Sequence, residues 1–211
     1  MDRPIGHTER GNERRGLTRG ERVSIFLRSF LVQSAWNTRD MQNVGFCFSM
    51  LSVAPRRDGE GATRRDFLRR HLSFFNTNPA LSTFALSAAA EAELDDRPED
   101  AVALKKALSG PLGMAGDSLM WGAVRPLAAL AGVASFLAGL GWAPLLLLIV
   151  YNVPHLILRG MGAAVRQDGG AGAKRLMGFD RHRPSRALRG AAMVEHGSAL
   201  PVMYVGDAAV Q

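Results

Sequence analysis

Apolar residues are concentrated in the second half of the chain, in a stretch bounded by Arg125 and Arg159. The run between these two arginines, Pro126 to Leu158, has 33 residues and no Asp, Glu, Lys or Arg. Apolar runs longer than about 18 residues are typical of membrane segments. The pattern therefore predicts that this part of the chain enters a membrane.

The length and composition of this run predict two helices rather than one. A single helix of this length would measure ~50 Å, whereas the hydrocarbon core of a bilayer is about 30 Å thick. Gly139, Gly141 and Pro144 interrupt the run near its middle. We therefore expect two helices, at residues 118–138 and 143–166, that form a re-entrant hairpin or two short, tilted spans.

A second pattern, near the N-terminus, predicts an amphipathic helix that lies at a membrane interface or packs on other helices. The apolar stripe continues through Trp36 and begins with five residues at helical spacing: Val23, Phe26, Leu27, Phe30 and Leu31. Residues 80–94 and 101–109 predict two further helices. The predicted fold class is all-α: a membrane-associated helical protein with amphipathic helices and a broken apolar helix pair.

Uncharged hydrogen-bonding residues surround Trp36. They are Gln33, Ser34, Asn37, Gln42 and Asn43. Amide side chains can pair with sugar hydroxyls while an aromatic ring covers the apolar side of a sugar, so this mixture is typical of sugar sites. The same spacing also fits a helix with a polar face.

Three further polar residues are candidates: Asn76 at a predicted turn, His71 before that turn, and Asp117 later in the chain. Pro79 disfavours helix at the residue before it, so we expect a turn in which Asn76 satisfies backbone groups or faces a cavity. His71 is interpreted either as a proton or phosphate acceptor or as a hydrogen-bonding helix cap. Asp117 is interpreted as the N-cap of the helix that begins after it, and also as a group that binds sugar hydroxyls.

Charge narrows the class of partner. The net charge is +7 with 26 basic residues, which reflects either codon usage or contact with phosphate. The apolar run beside basic flanks favours lipid head groups over nucleic acid. Residues 56–70 carry only one aromatic, Phe67, and are interpreted as a cytoplasmic linker rather than a nucleic-acid site.

The single cysteine, Cys47, excludes an intramolecular disulfide and a cysteine-based zinc cluster, and we expect a buried thiol. The pattern points to no metal and no cofactor. Residues 1–22 lack the apolar segment of a signal peptide. We therefore expect the chain to reach the membrane through internal segments.

Four motifs, in order along the chain, resemble the membrane subunit called IID of the mannose/fructose/sorbose family of sugar phosphotransferase systems. They are QSAWN and MQNVGFCFSM, which follow LRS within residues 27–50, RRHLSFFNTNP in 69–79 and SGPLGMAGDSLMWGAVRP in 109–126, and the apolar YNVPHLILR of 151–159 comes after them. The resemblance covers about residues 21–180. It implies three parts: a flexible basic tail at 1–20, a IID-like helical membrane domain at 21–180, and a diverged or truncated tail at 181–211.

The resemblance implies a function that needs other subunits. A IID subunit forms the sugar pathway with subunit IIC in the bacterial inner (cytoplasmic) membrane, while the cytoplasmic IIA and IIB proteins carry the phosphate to the hexose. IID is therefore expected not to be an enzyme on its own. Substrate contact is expected from seven residues: Gln33, Trp36, Asn37, Gln42, His71, Asn76 and Asp117.

Three departures from the family pattern motivate an alternative, a diverged regulatory or interaction protein that transports no sugar. Asp40 stands where the family usually has arginine. The glycine motif before Asp117 is altered, and the further hydrophobic span of family members is absent after residue 180.

Overall fold

The structure, a computed structural model, describes residues 16–55 and 61–165. This part of the chain is helical and contains no β-strand, which confirms the all-α prediction. Seven α-helices and one π-helical segment follow in this order: α1 Arg19–Ser29, α2 Asn43–Met50, α3 Gly61–His71, α4 Ser82–Leu94, α5 Pro98–Leu119, the π segment Met120–Val124, α6 Arg125–Leu137 and α7 Ala143–Ala164.

Four sequence predictions lie wholly or partly outside the described residues. The first 15 residues of the expected N-terminal tail and the whole expected tail at 181–211 fall there, as do residues 166–180 of the expected helical domain. The expected linker at 56–70 is described only from residue 61, where α3 begins.

Helix α1 begins at a capping box, which explains its start. The Thr18 hydroxyl accepts a hydrogen bond from the backbone N–H of Glu21, and the Glu21 carboxylate accepts one from the backbone N–H of Thr18 at 2.9 Å. The helix buries Ile25 and leaves much of its apolar stripe exposed, with Leu27 60% exposed. This amphipathic helix therefore presents an apolar face outward.

The predicted continuation of this stripe through Trp36 is wrong, because α1 ends at Ser29 and residues 30–42 form turns. Asn37 is one cause: its side-chain oxygen accepts backbone N–H groups from Arg39 and Asp40, at 3.1 and 2.8 Å. Such local bonds compete with the helical hydrogen bonds and favour a turn.

Helix α4 lies at the centre of the fold, and small residues are the reason it can. Ten of its residues, from Ser82 to Ala92, are buried, most of them alanine or serine. They allow α1, α5 and α7 to pack closely around it. Arg22 of α1 ties this core to the end of α7 by donating to the carbonyls of Ala163 and Val165, at 3.0 and 3.1 Å.

The prediction of a helix start at residue 118 is wrong, and so is that of a separate short helix at 101–109. Helix α5 runs from Pro98 to Leu119 and continues through the π segment into α6. The widened turn precedes Pro126, which has no N–H and whose ring would clash with the carbonyl four residues earlier in a regular helix. Asp117 is therefore a helix-interior residue and not an N-cap.

The predicted break in the apolar run is confirmed. Helix α6 ends at Leu137, Gly139 adopts a left-handed φ of 77°, and α7 begins at Ala143. Within the described part of the chain, two helical stretches are long and apolar enough to cross a membrane, Pro98–Leu137 and Ala143–Ala164. Most side chains of the hairpin α6–α7 are exposed, and apolar exposure of this extent is unusual in a soluble monomer.

Candidate functional site

A polar cavity of about 480 Å³ lies where the 76–79 loop meets α5, the π segment and α7. Its walls combine amide, acidic and basic side chains with aromatic rings, the mixture that binds polar ring-shaped ligands. The lining residues are Phe30, Val32, Gln33, Gln42, Asn76, Thr77, Asn78, Pro79, Gly113, Asp117, Met120, Trp121, Tyr151, His155 and Arg159.

The loop that forms one wall is held by two polar side chains from other elements. Gln42 donates to the carbonyl of Thr77 at 2.8 Å and accepts from the Thr77 N–H at 3.2 Å. The hydroxyl of Ser109, on α5, contacts both backbone groups of Asn76. Pro79 prevents a helix here, and these bonds replace the helical ones that the loop lacks.

Asp117 is fixed in the cavity wall by Asn78. The Asn78 amide donates to Oδ1 of Asp117 at 2.8 Å, and its carbonyl oxygen accepts the N–H of Ala80 at 2.9 Å. Asp117 itself is exposed toward the cavity side of α5. One carboxylate oxygen is thus held by the protein, and the second can accept hydrogen bonds from a ligand.

Arg159, on α7, supplies a buried positive charge to the cavity lining. It is 2% exposed, donates to the Ser29 hydroxyl at 3.0 Å and to the Pro79 carbonyl at 2.8 Å, and lies 4.5 Å over the Phe30 ring. Its Nη2 also contacts Nε2 of His155 at 3.1 Å. These partners come from three separate parts of the chain, so Arg159 holds them together around the cavity.

Two buried polar atoms at this cavity have no hydrogen-bond partner among the described residues: Thr77 Oγ1 and Arg159 Nε. Buried polar groups in native proteins normally have a hydrogen-bond partner, because a buried group without one costs about 1–3 kcal/mol of stability. Both groups therefore leave hydrogen-bonding capacity unused beside the cavity.

Four of the seven sequence-predicted residues line this cavity: Gln33, Gln42, Asn76 and Asp117. The side-chain amide of Gln42 is hydrogen-bonded to the backbone of Thr77, so Gln42 mainly positions the loop. The side chains of Gln33 and Asn76 are exposed and have no hydrogen bond to the described residues. They are free to contact a ligand.

The other three predicted residues do not line the cavity. Trp36 is 52% exposed elsewhere on the surface. Asn37 organises its own turn and donates to Asn43 at 3.0 Å. Asp40, where the family pattern was reversed in charge, also lies outside the cavity and hydrogen-bonds within the same turn.

His71 belongs to a separate buried cluster. Its Nε2 lies 2.9 Å from Oε1 of Glu93, whose carboxylate also accepts two bonds from Arg70, at 3.0 and 2.8 Å. Burial lowers the pKa of His71, although the hydrogen bond to Glu93 opposes this. Burial alone would raise the pKa of Glu93, but the bonds from His71 and Arg70 outweigh it and the pKa is lowered. His71 is thus a neutral donor that joins α3 to α4.

Sequence reasoning missed the aromatic and basic residues of the cavity, chiefly Trp121, His155 and Arg159. One signal was available: Trp121 follows Asp117 by four residues, which places both on one helix face. A second was that His155 and Arg159 interrupt an apolar helix, where polar residues usually face a functional interior.

Metal and nucleophile chemistry receive no support from the described residues. No group of three or more His, Cys, Asp or Glu side chains is close enough there to hold a metal ion. Cys47 is buried, as expected, and burial raises the pKa of its thiol, which opposes formation of a reactive thiolate. The cavity offers hydrogen bonds and aromatic surface.

Comparison with known proteins gives one family. The sequence model described as "PTS system mannose/fructose/sorbose family IID component" matches residues 16–175. A mannose-specific EIID component of Escherichia coli O6:H1 is 36% identical over 187 residues, covering 84% of this chain and 64% of the relative. A sorbose-specific EIID component of Klebsiella pneumoniae is 36% identical over 158 residues, covering 71% of this chain and 57% of the relative.

Among solved structures, a cryo-EM structure of the mannose transporter ManYZ in complex with microcin E492 is similar. The TM-score is 0.67 at 33% identity, with 84% of this chain and 67% of that chain covered. The chain spans less than two thirds of the length of these two curated relatives.

Proposed function

We propose that this chain forms a sugar translocation unit together with a IIC subunit. The chain belongs to the mannose/fructose/sorbose family of phosphotransferase-system IID components. The observation that carries the proposal is the cavity. It places an acceptor, Asp117, and free amides, Gln33 and Asn76, beside the Trp121 ring, next to helices long enough to cross a membrane.

The sugar is proposed to bind with its hydroxyls on the polar groups and its apolar face on an aromatic ring. Asp117 accepts hydrogen bonds from sugar hydroxyls through the oxygen that Asn78 leaves unbound, and the amides of Gln33 and Asn76 each donate and accept hydrogen bonds. Trp121 takes the role that sequence reasoning gave to Trp36. The ligand is a hexose, since mannose, sorbose and fructose appear in the names of the relatives.

The location is proposed to be the bacterial inner membrane. From Ser118 to Leu137 the helix has a length of ~30 Å, and α7 has ~33 Å, which matches the hydrocarbon core. The exposed apolar face of α6 and α7 then contacts lipid on part of its circumference and the IIC subunit on the rest. The ManYZ complex, which the fold resembles, supports a two-subunit arrangement.

Phosphate transfer is proposed to belong to other proteins. His71 would be the obvious phosphate acceptor, but it is fully buried and engaged by Glu93. This supports a chain that is not an enzyme on its own, with cytoplasmic IIA and IIB proteins carrying the phosphate to the sugar.

An uptake assay tests the transport proposal. Cells that express IIA, IIB and IIC with or without this chain are given labelled mannose, fructose or sorbose in turn. Uptake of at least one sugar should depend on this chain, and Asp117→Asn should reduce it about tenfold or more. Asp66→Asn, an exposed carboxylate on α3, is the matched control and should leave uptake unchanged. Uptake that is equal with and without the chain refutes the proposal.

Asp40 is one of the three departures that motivate the regulatory alternative, and the same assay separates this alternative from transport. Because Asp40 lies outside the cavity, Asp40→Arg should change uptake little if the chain is a transporter. If neither the natural chain nor Asp40→Arg supports uptake of any of the three sugars, while the chain still co-purifies with IIC, the regulatory function is favoured.

A further inference from the structure

The hydrogen bond between Arg159 and His155 determines which ring nitrogen of the histidine carries a proton. Arginine has donors and no acceptor, so at 3.1 Å its Nη2 must donate and Nε2 of His155 must accept. A neutral imidazole that accepts at Nε2 carries its proton at Nδ1. Nδ1–H has no described protein partner, and His155 lines the cavity.

Arg159 can fix the protonated nitrogen of His155 because the guanidinium group is itself held in one orientation. Its Nη1 is committed to Ser29 on α1, its Nη2 to the carbonyl of Pro79, and its guanidinium plane is covered by Phe30. The arginine is 2% exposed, so water does not replace these partners. Four residues separate His155 and Arg159 on α7, which keeps both side chains on one helix face.

We propose that Arg159 is a positioning residue that holds His155 in the Nδ1–H form, and that this N–H donates to an oxygen of the sugar. The inference rests on the proposed function of the cavity and adds a donor to it. Asp117, the one carboxylate among the described lining residues, accepts a hydrogen bond from a sugar hydroxyl, while His155 donates one to a sugar oxygen. A site that pairs an acceptor with a fixed donor discriminates against an analogue that lacks one of the paired groups, because the site's own polar group then loses its hydrogen bond.

A spectroscopic measurement tests the positioning role without depending on transport. The complex of this chain with IIC is prepared with ¹⁵N-histidine in lipid bilayers, and protonated and unprotonated ring nitrogens are distinguished by solid-state NMR. The spectrum of His155→Asn identifies the His155 signals by their absence. At neutral pH these signals should show a protonated Nδ1 and an unprotonated Nε2. A protonated Nε2 at position 155 would overturn the proposal.

Arg159→Lys extends this measurement. Lysine keeps the charge but loses the planar fork that contacts three partners at once. Position 155 should then give a mixture of the two neutral forms. If the Nδ1–H form stays complete in Arg159→Lys, Arg159 is not what selects it, and the positioning role is refuted.

Sugar affinity tests the donor role with a matched pair of substitutions. The side-chain amide of asparagine reaches about as far as Nδ1 of histidine, whereas that of glutamine reaches about as far as Nε2. His155→Asn should therefore keep the donor and retain affinity within about threefold, while His155→Gln should lose about tenfold or more. The probe is labelled mannose, fructose or sorbose, whichever the natural complex binds.

The outcomes separate the two levels of the proposal. Equal affinity of His155→Gln and the natural complex overturns the donor role while leaving the translocation unit intact. Absence of binding of all three sugars by the natural complex overturns the proposed function, and the donor role with it. Co-purification of each variant with IIC in equal amounts shows that a loss of binding is not a loss of folding.

Discussion

Replacing Gly116 with alanine is expected to destabilise the chain and to weaken sugar binding together, because this glycine lies directly against Asn78. An added Cβ would stand 2.3 Å from Cβ and 2.7 Å from Cγ of Asn78. The nearest atoms therefore lie at the root of the side chain, next to the backbone. The loop around Asn78 must move to admit the methyl group, and Asn78 is the residue that holds Asp117.

The size of the effect follows from what the movement breaks. Crowding a well-packed contact costs about 1–3 kcal/mol. Asn78 also makes two hydrogen bonds, to Asp117 and to the N–H of Ala80, each worth about 1 kcal/mol net. Alanine returns up to about 1 kcal/mol through its higher helix propensity. The free energy of unfolding should therefore fall by about 2–4 kcal/mol.

The assay compares melting midpoints, followed by tryptophan fluorescence, of the purified complex with IIC. Gly110→Ala is the control, because it lies on the same helix and an added Cβ there meets no atom within 4 Å. Gly116→Ala should melt several degrees lower and bind sugar more weakly, while Gly110→Ala should melt at or above the natural temperature. Equal melting and binding of the two variants would refute the packing argument.

Three further perturbations test other parts of the fold. Gly162→Ala would place a Cβ 2.8 Å from the backbone of α4 and should lower the melting midpoint, whereas Gly160→Ala, which meets open space, should not. Because the pKa values of His71 and Glu93 lie below their ordinary 6.5 and 4.5, the folded chain binds fewer protons than the unfolded one. The melting midpoint should therefore be highest above pH 6.5 and fall on acidification. In His71→Gln the midpoint should fall less over the part of the pH range nearest 6.5. A midpoint that rises on acidification would refute this pH dependence. Arg22→Ala removes the hydrogen bonds to the carbonyls at the end of α7 and a part-buried ion pair with Glu91. It should destabilise the chain by about 2–4 kcal/mol, more than Arg22→Lys does. Equal melting midpoints of the two variants would contradict this.

The parts of the fold that sequence predicted well are those set by local rules. Gly139 takes a left-handed conformation that other residues avoid, and Pro144 is favoured in a first helical turn, so the break between α6 and α7 follows from two residues. The helix at 80–94 likewise follows from helix-prone residues, and its observed start at Ser82 differs by two positions. The turn before Pro79 was likewise predictable from a single proline.

The predicted helix start at residue 118 failed because glycines were interpreted as breaks. Gly110, Gly113 and Gly116 stand on a continuous α5, and so does Pro111. Gly116 is there because Asn78 leaves no room for a side chain. A glycine required by a contact 38 residues away cannot be distinguished from a helix terminator by reading its neighbours. The amide groups of the cavity wall were predictable, but its aromatic and basic residues were not. The use of each amide was not predictable either, since tertiary contacts set the different roles of Gln42 and Asn76.

Three features that sequence reasoning did not predict lie close together. The unexpected helix interior at Asp117, the widened turn that follows it and the unanticipated partners of Arg159 all border one cavity. Where local propensity and tertiary structure disagree, the fold has accepted a local cost, and such costs persist at functional sites. π-helical turns in particular are frequent at such sites. The clustering of these exceptions around the cavity therefore favours the cavity over the surface around Trp36 as the location of the proposed sugar site, and this argument does not depend on family membership.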